Sequence, residues 1–307
     1  MKITIEQYKR VRGWIYRNAR PIDLARWQFH FEDGTKETVL NALSAYQNVD
    51  GGFAYALEGD SWNPNSSPIQ TWCAVEILRE MNVDNRSNPV IQSILRYLNS
   101  GLNFSAGKWP ASIESNNDYP HAFWWDWSPE TVYDDNPTAN LAGFIIKYAE
   151  KESPLYQKGL AIAKQSAESF MASSEINDGH LLWCYARLYQ CCIESDTQNL
   201  FDVKAYAEKL SMHISSQLKS TQVDCFCDGV AHELLKIYTN VLSMDIPYEP
   251  IAFIADGLST NLQPDGSWRI PWDWSSYEEE WAISKHWWKG NAAIINMLFL
   301  KQHRFLP

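Results

Sequence analysis

Four carboxylates in this chain stand beside tryptophans in stretches that do not read as regular secondary structure. Glu58 and Asp60 precede Trp62 within Phe53–Pro68. Asp134 and Asp135 close a segment, 100–136, that carries Trp109, Trp124, Trp125, Trp127 and Tyr133 together with His121 and Asp126. A third aromatic stretch, 266–288, holds Trp268, Trp272, Trp274, Trp281, Trp287 and Trp288 with Asp273, Glu278–Glu280 and His286. Two adjacent carboxyls repel, and burial raises at least one of them, so a pair such as Asp134 and Asp135 can keep a proton for acid catalysis. Paired carboxylates also perform glycoside hydrolysis, with Glu58 and Asp60 set against Asp134 or Asp135. Each group has a plainer reading. Asp134 and Asp135 can cap the helix that follows, and Glu58 and Asp60 can bond their own loop. His180 can be a satisfied structural histidine, and the tryptophans can anchor loops.

The elements that position these residues are helices. The chain has 307 residues, 45% hydrophobic and 21% charged, a globular composition with 15 tryptophans. Its net charge of −11 comes without any Lys/Arg cluster, which argues against nucleic acid as a partner. No stretch reaches the roughly 20 apolar residues of a bilayer span, and MKITIEQYKRVRGW has no signal-peptide core, so a soluble cytoplasmic protein is expected. Cys73, Cys184, Cys191 and Cys192 sit in apolar helical runs and Cys225 and Cys227 outside them, with no disulfide spacing. Apolar spacing predicts helices over 4–19, 35–48, 68–82, 87–99, 137–150, 154–173, 180–194, 200–217, 228–243, 249–262 and 288–303.

These helices are of two alternating kinds. Residues 180–194 and 288–300 are apolar nearly all round, as buried helices are, whereas 87–99, 154–173 and 200–217 keep a polar face. Glycine turns follow the polar-faced helices at Asp50-Gly51, Ala106-Gly107, Asp178-Gly179, Asp228-Gly229 and Asp265-Gly266. Alternation with a recurring turn predicts one all-α domain over 1–307, an α/α toroid with an inner and an outer ring. In such a ring the inner helices all begin at one end, where their positive dipole ends surround a mouth.

The turns Gln47–Phe53 and Gln263-Pro264-Asp265-Gly266-Ser267-Trp268, with Gly107-Lys108-Trp109 as a degenerate third, resemble the QW repeats of the terpenoid cyclase and protein prenyltransferase superfamily. The stretch Leu57–Pro68 is similar to one in a bacterial single-toroid branch. The resemblance implies a toroid in which the turn Gln and Trp tie helix ends together. It also implies an acid motif at an inner helix start, where Val132–Ala139 supplies Asp134 and Asp135 but lacks the motif's first Asp. The prenyltransferase zinc set would fall on Cys225, Cys227, Asp228 and His286, but the Asp-to-Cys spacing does not match. Packing at a helix start is therefore preferred to zinc, and no cofactor is expected.

Three functions remain open at this point. The first is an enzyme on an isoprenoid or similarly apolar substrate, with Asp134, Asp135, Glu58 and Asp60 as acids. Its walls would be Trp62, Trp109, Trp124, Trp125, Trp127, Tyr133, His180, Trp268, Trp272, Trp274 and Trp287. The second is a carbohydrate hydrolase or binder that stacks sugars on the same rings. The third is an interaction scaffold without catalysis. A narrow, dry aromatic cavity would favour the first, and an open, wet groove bearing acids the second.

Overall fold

A computed structural model describes residues 2–220 and 228–307. Among these the chain is helical, with isolated bridges in place of strands. It divides into two compact units, Tyr46–Gln217 and the combination of Met1–Ala45 with Leu218–Pro307.

The Tyr46–Gln217 unit contains α4 (Pro68–Glu80), α5 (Pro89–Ser100), α6 (Thr138–Tyr148), α7 (Pro154–Ala172), α8 (Gly179–Glu194) and most of α9 (Val203–Ser220). Local chemistry sets where these helices begin. Ser67, Asn88 and Ser153 each accept a backbone N–H of the first turn, and a proline follows each of them at the first helical position. Asp178 caps α8 in the same way, accepting from the His180 N–H. Gly101, at φ +79, ends α5. Packing follows the expected alternation. α6 is buried along almost its whole length, whereas α5 buries Ile91, Ile94, Leu95 and Leu98 and exposes Gln92, Arg96 and Asn99. α6 lies against both α7 and α8, with α4 also beside it. The approach is close enough that a Cβ on Gly159 of α7 would lie 2.5 Å from Ile145 of α6.

The other unit holds α1 (Ile5–Asn18), α2 (Pro21–Phe31), α3 (Lys36–Ser44), α10 (Val230–Lys236), α11 (Tyr248–Thr260) and α12 (Glu278–Gln302). Its core gathers Trp14, Ile15, Trp27, Leu258, Trp268, Met297 and Phe299. α12 packs on α1, α2 and α11, and the Ile3 N–H donates to the Phe305 carbonyl at 3.0 Å. Glu32 collects three donors here, from Arg12 Nε, Tyr16 Oη and Trp27 Nε1.

Three boundaries differ from expectation. α2 was not predicted, because Trp27, Phe29 and Phe31 alternate at a strand-like spacing that hides the helical period. α12 begins at Glu278 rather than 288, so Trp281, Trp287 and Trp288 belong to a helix instead of a loop. Its cap residue is Tyr277, in the left-handed region and without a side-chain cap bond, so the sequence carries no start signal there. The helix expected over 228–243 is α10 followed by a π-helical turn, Ile237–Val241.

The two best-matching turns share one geometry. Gly51 and Gly266 both have φ +95, and a Cβ at either would lie 2.1 Å from the Ser93 carbonyl oxygen of α5 or 2.4 Å from that of Arg10 in α1. Glycine is required at both for two reasons at once, its dihedral freedom and its lack of a side chain. The glutamines differ from the role that the resemblance implies. Gln47 Nε2 donates to Gly51 O, within its own turn, and Gln263 Nε2 donates to Asn261 O, the residue that caps α11. Trp268 does tie a helix, donating its indole N–H to Leu258 O at 2.9 Å.

Candidate functional site

The carboxylates singled out in the first two aromatic stretches all lie in the Tyr46–Gln217 unit, at the N-terminal ends of α4 and α6. The loop before α4 turns sharply at Tyr55 and Ala56, both at φ +58, and then buries Glu58 and Asp60. Glu58 Oε2 accepts the Asp60 N–H at 3.0 Å, while Gln70 of α4 accepts the Glu58 N–H through Oε1 and donates to Ser61 O. Glu58 thus organises its own loop, as the plainer reading had it. This loop is stitched to the next one. Trp62 N–H donates to Pro120 O, Ala122 N–H to Asp60 O, and Asn63 Nδ2 to Asn116 Oδ1. His121 is buried at the seam, with Nδ1 2.6 Å from Tyr119 O and Nε2 2.8 Å from Asp126 Oδ1.

The second loop is anchored on α6. Trp109 is wholly buried, its N–H donates to Thr138 Oγ1, and the Thr138 hydroxyl donates back to Trp109 O. Lys158 of α7 lies 3.6 Å from the Phe104 ring centroid and 5.0 Å from that of Trp109. Trp109 is therefore a loop anchor rather than a wall facing a ligand.

Asp134 and Asp135 part company at the start of α6. Asp135 is 2% exposed; its Oδ2 accepts from Tyr185 Oη at 2.8 Å and its Oδ1 faces Lys108 Nζ at 3.3 Å. Lys108 also donates to Tyr133 O. Both carboxyl oxygens of Asp135 are thus engaged by neighbouring side chains. Asp134 is the more exposed residue and accepts the Asn136 N–H at 2.8 Å. Desolvation around its carboxyl raises its pKa, against the Asn136 bond, and the charges of Asp178 and Asp135 add to the rise. The buried member of the pair is thus the one that faces a cation, Lys108.

Asp178 completes the group and was read in the sequence only as part of a turn. Burial works to raise its carboxyl, but the hydrogen bond and charge of His180 and the α8 backbone outweigh it and leave the pKa lowered. His180 is half-exposed, its Nδ1 3.6 Å from Asp178 Oδ1. Burial pushes the Tyr185 phenol up, reinforced by Asp135. Asp134 and Asp178 lie within electrostatic reach of each other, and their surroundings push them in opposite directions.

Farther along the second loop a cavity of about 530 Å³ opens to solvent, lined by Trp127, Asn103, Ile113, Glu114, Ser115, Asn117 and Asp118. Asn117 clamps the aromatic wall twice, accepting the Trp127 N–H at 2.9 Å and donating to Trp127 O at 3.0 Å. Asn116 donates to Trp125 O at 3.0 Å. Trp124 is exposed beside Phe123. Of the second loop's candidate rings, Trp127 is the one placed in this groove. Glu114, Asn117 and Asp118 were not singled out in the sequence; a short 3-10 turn presents them together.

The remaining candidates lie in the other unit. Trp274 is fully buried against Trp281, Trp272 meets Trp288 edge to face at 5.2 Å, and Trp287 lies under the Arg20 guanidinium. With Trp268 bonded to α11, these rings anchor structure. Cys225 and Cys227 lie outside the described residues. His286 is exposed and stacks on Trp14, and among the described residues no three His, Cys, Asp or Glu gather as metal ligands. Nor is any helix there long and apolar enough to cross a membrane. No protein-family model, curated protein or solved structure matches the chain.

Proposed function

We propose that the chain is a carbohydrate-binding α/α-toroid protein. The groove of Trp127 carries this reading. An indole face stacks on the apolar face of a pyranose, and the amides and carboxylates of Asn103, Asn117, Glu114 and Asp118 match its hydroxyls. The groove is open and polar, the form expected for a sugar rather than for an isoprenoid. Asp135, the buried member of the acid pair, has both carboxyl oxygens engaged by Lys108 and Tyr185, which speaks against its meeting a substrate directly. The toroid part of the proposal rests on the alternation of buried and one-sided helices. It also rests on the equal packing of Gly51 and Gly266 against polar-faced helices.

Soluble oligosaccharides screened on a glycan array, then titrated calorimetrically, test the reading. Binding should weaken by roughly tenfold or more in Trp127→Ala, the loss that truncating an aromatic anchor gives. An array without binders, or a ligand whose affinity ignores Trp127, would leave the scaffold reading in its place.

A further inference from the structure

A second group of side chains, on α4, α6 and α8, takes no part in the groove or in the acid pair. Glu76 of α4 accepts from Arg187 Nη2 at 2.8 Å and from Arg187 Nε at 2.9 Å, and its Oε1 accepts from Asn140 Nδ2 at 2.8 Å. The Arg187 guanidinium lies 5.8 Å from the Trp183 ring centroid, and Trp183 meets Trp72 edge to face at 4.9 Å. Five residues of three helices thus form one connected set.

The set is incomplete. Trp72 Nε1, Trp183 Nε1 and Asn140 Oδ1 are buried and have no hydrogen-bond partner among the described residues, on side chains 7%, 6% and 0% exposed. A buried polar atom without a partner costs about 1–3 kcal/mol, and three in one contact group call for an occupant. Edge-to-face stacking can aim one indole N–H at the other ring, but not both at once.

We propose that Trp72, Trp183 and Asn140 bind a small neutral polyol between α4, α6 and α8. The unmet groups are two donors and one acceptor, and hydroxyls supply both kinds of partner. Neutrality follows from the ion pair, since Glu76 and Arg187 cancel each other. Arg187 spends its fork on Glu76 and its Nη1 on Gln190, so it has little left with which to recognise an anion. The side chain of Glu76 keeps 11% exposure and Cys73 is half-buried, so the rim of the group meets the surface. The inference does not depend on the Trp127 groove.

Calorimetric titration of the full chain with glycerol, myo-inositol and glucose, one at a time, tests it in wild type, Trp72→Phe and Trp183→Phe. Phenylalanine keeps a smaller aromatic ring and removes the N–H donor. Saturable binding of at least one polyol is expected, weakened about fivefold in each variant, the worth of one neutral hydrogen bond. Wild-type amide spectra give a second reading that needs no variant: two indole N–H resonances should move on saturation with that polyol. Absence of saturable binding to all three, wild-type affinity retained in both variants, or indole resonances that stay fixed would overturn the proposal. So would a crystal grown with the polyol that holds only ordered water at the two indoles.

Discussion

Tyr185 Oη lies 2.8 Å from Asp135 Oδ2, joining the second turn of α8 to the segment that leads into α6. With Lys108 on the other oxygen, Asp135 links three segments through one buried carboxylate. Tyr185→Phe should cost about 1 kcal/mol, one neutral donor's worth or slightly more. Asp135→Ala should cost more, about 1–3 kcal/mol, because two donors lose their acceptor while Lys108, 24% exposed, can still reach water. Urea denaturation of both variants checks the order. An Asp135→Ala protein as stable as wild type would show that the carboxylate fixes nothing.

Asp134 and Asp178 should titrate apart. Asp178 is lowered in the folded chain, so its contribution to stability is complete above the ordinary aspartate range and is lost as pH falls through its folded value. Asp134 is raised, so its ionised form carries a penalty at neutral pH that disappears as pH falls through its raised value. Carboxyl carbon NMR should find Asp134 protonating first on acidification. In His180→Ala, Asp178 should move up toward an ordinary aspartate. Coincident titrations in the wild type would show that their surroundings do not separate the two carboxyls.

The turn glycines should be the least replaceable residues of their segments. Gly51→Ala puts a methyl group 2.1 Å from the Ser93 carbonyl and also strains a left-handed residue. A loss above about 2 kcal/mol is expected, visible as a fall in Tm, and the same holds for Gly266→Ala at Arg10. Gln47→Ala removes one partly buried bond within the turn and should cost only about 1 kcal/mol. Melts in which Gln47→Ala is the more damaging would mean that the glutamine does more than close its own turn.

The buried Glu76–Arg187 pair predicts a thermodynamic cycle. Arg187→Met leaves Glu76 without its counter-ion in an enclosed position and should destabilise by about 3–5 kcal/mol. Adding Glu76→Leu to it should recover part of the loss, because two apolar residues avoid the unpaired charge. Chemical denaturation of both singles and the double measures the coupling, and additive losses would refute it.

The helical class could be read from the chain, since apolar spacing and the Ser-Pro and Asn-Pro starts are local signals. The position of Asp134 and Asp135 at a helix start was equally legible. Which of them turns inward was not, because Asp135 finds its partners at Lys108 and Tyr185, and the sequence gives no sign of that meeting. Asp178 carries a local mark, an Asp before Gly-His at a helix start, that reads as a cap and reveals nothing of its proximity to Asp134. The groove was hidden for a similar reason. Seven nearby aromatics look alike in sequence, and only Trp127 is turned to it by the amide of Asn117.

That amide bears on entropy. By offering an acceptor and a donor to one residue, Asn117 does for Trp127 what a neighbouring strand would do, with a single side chain in place of a sheet. A loop fixed in this manner has given up its backbone freedom before any guest arrives, so little of the guest's contact energy is lost to ordering the wall. It also makes the groove tunable at one position. Changing residue 117 alone would loosen the wall and remove one polar group of the lining while leaving the Trp127 ring in place, trading affinity for breadth of recognition.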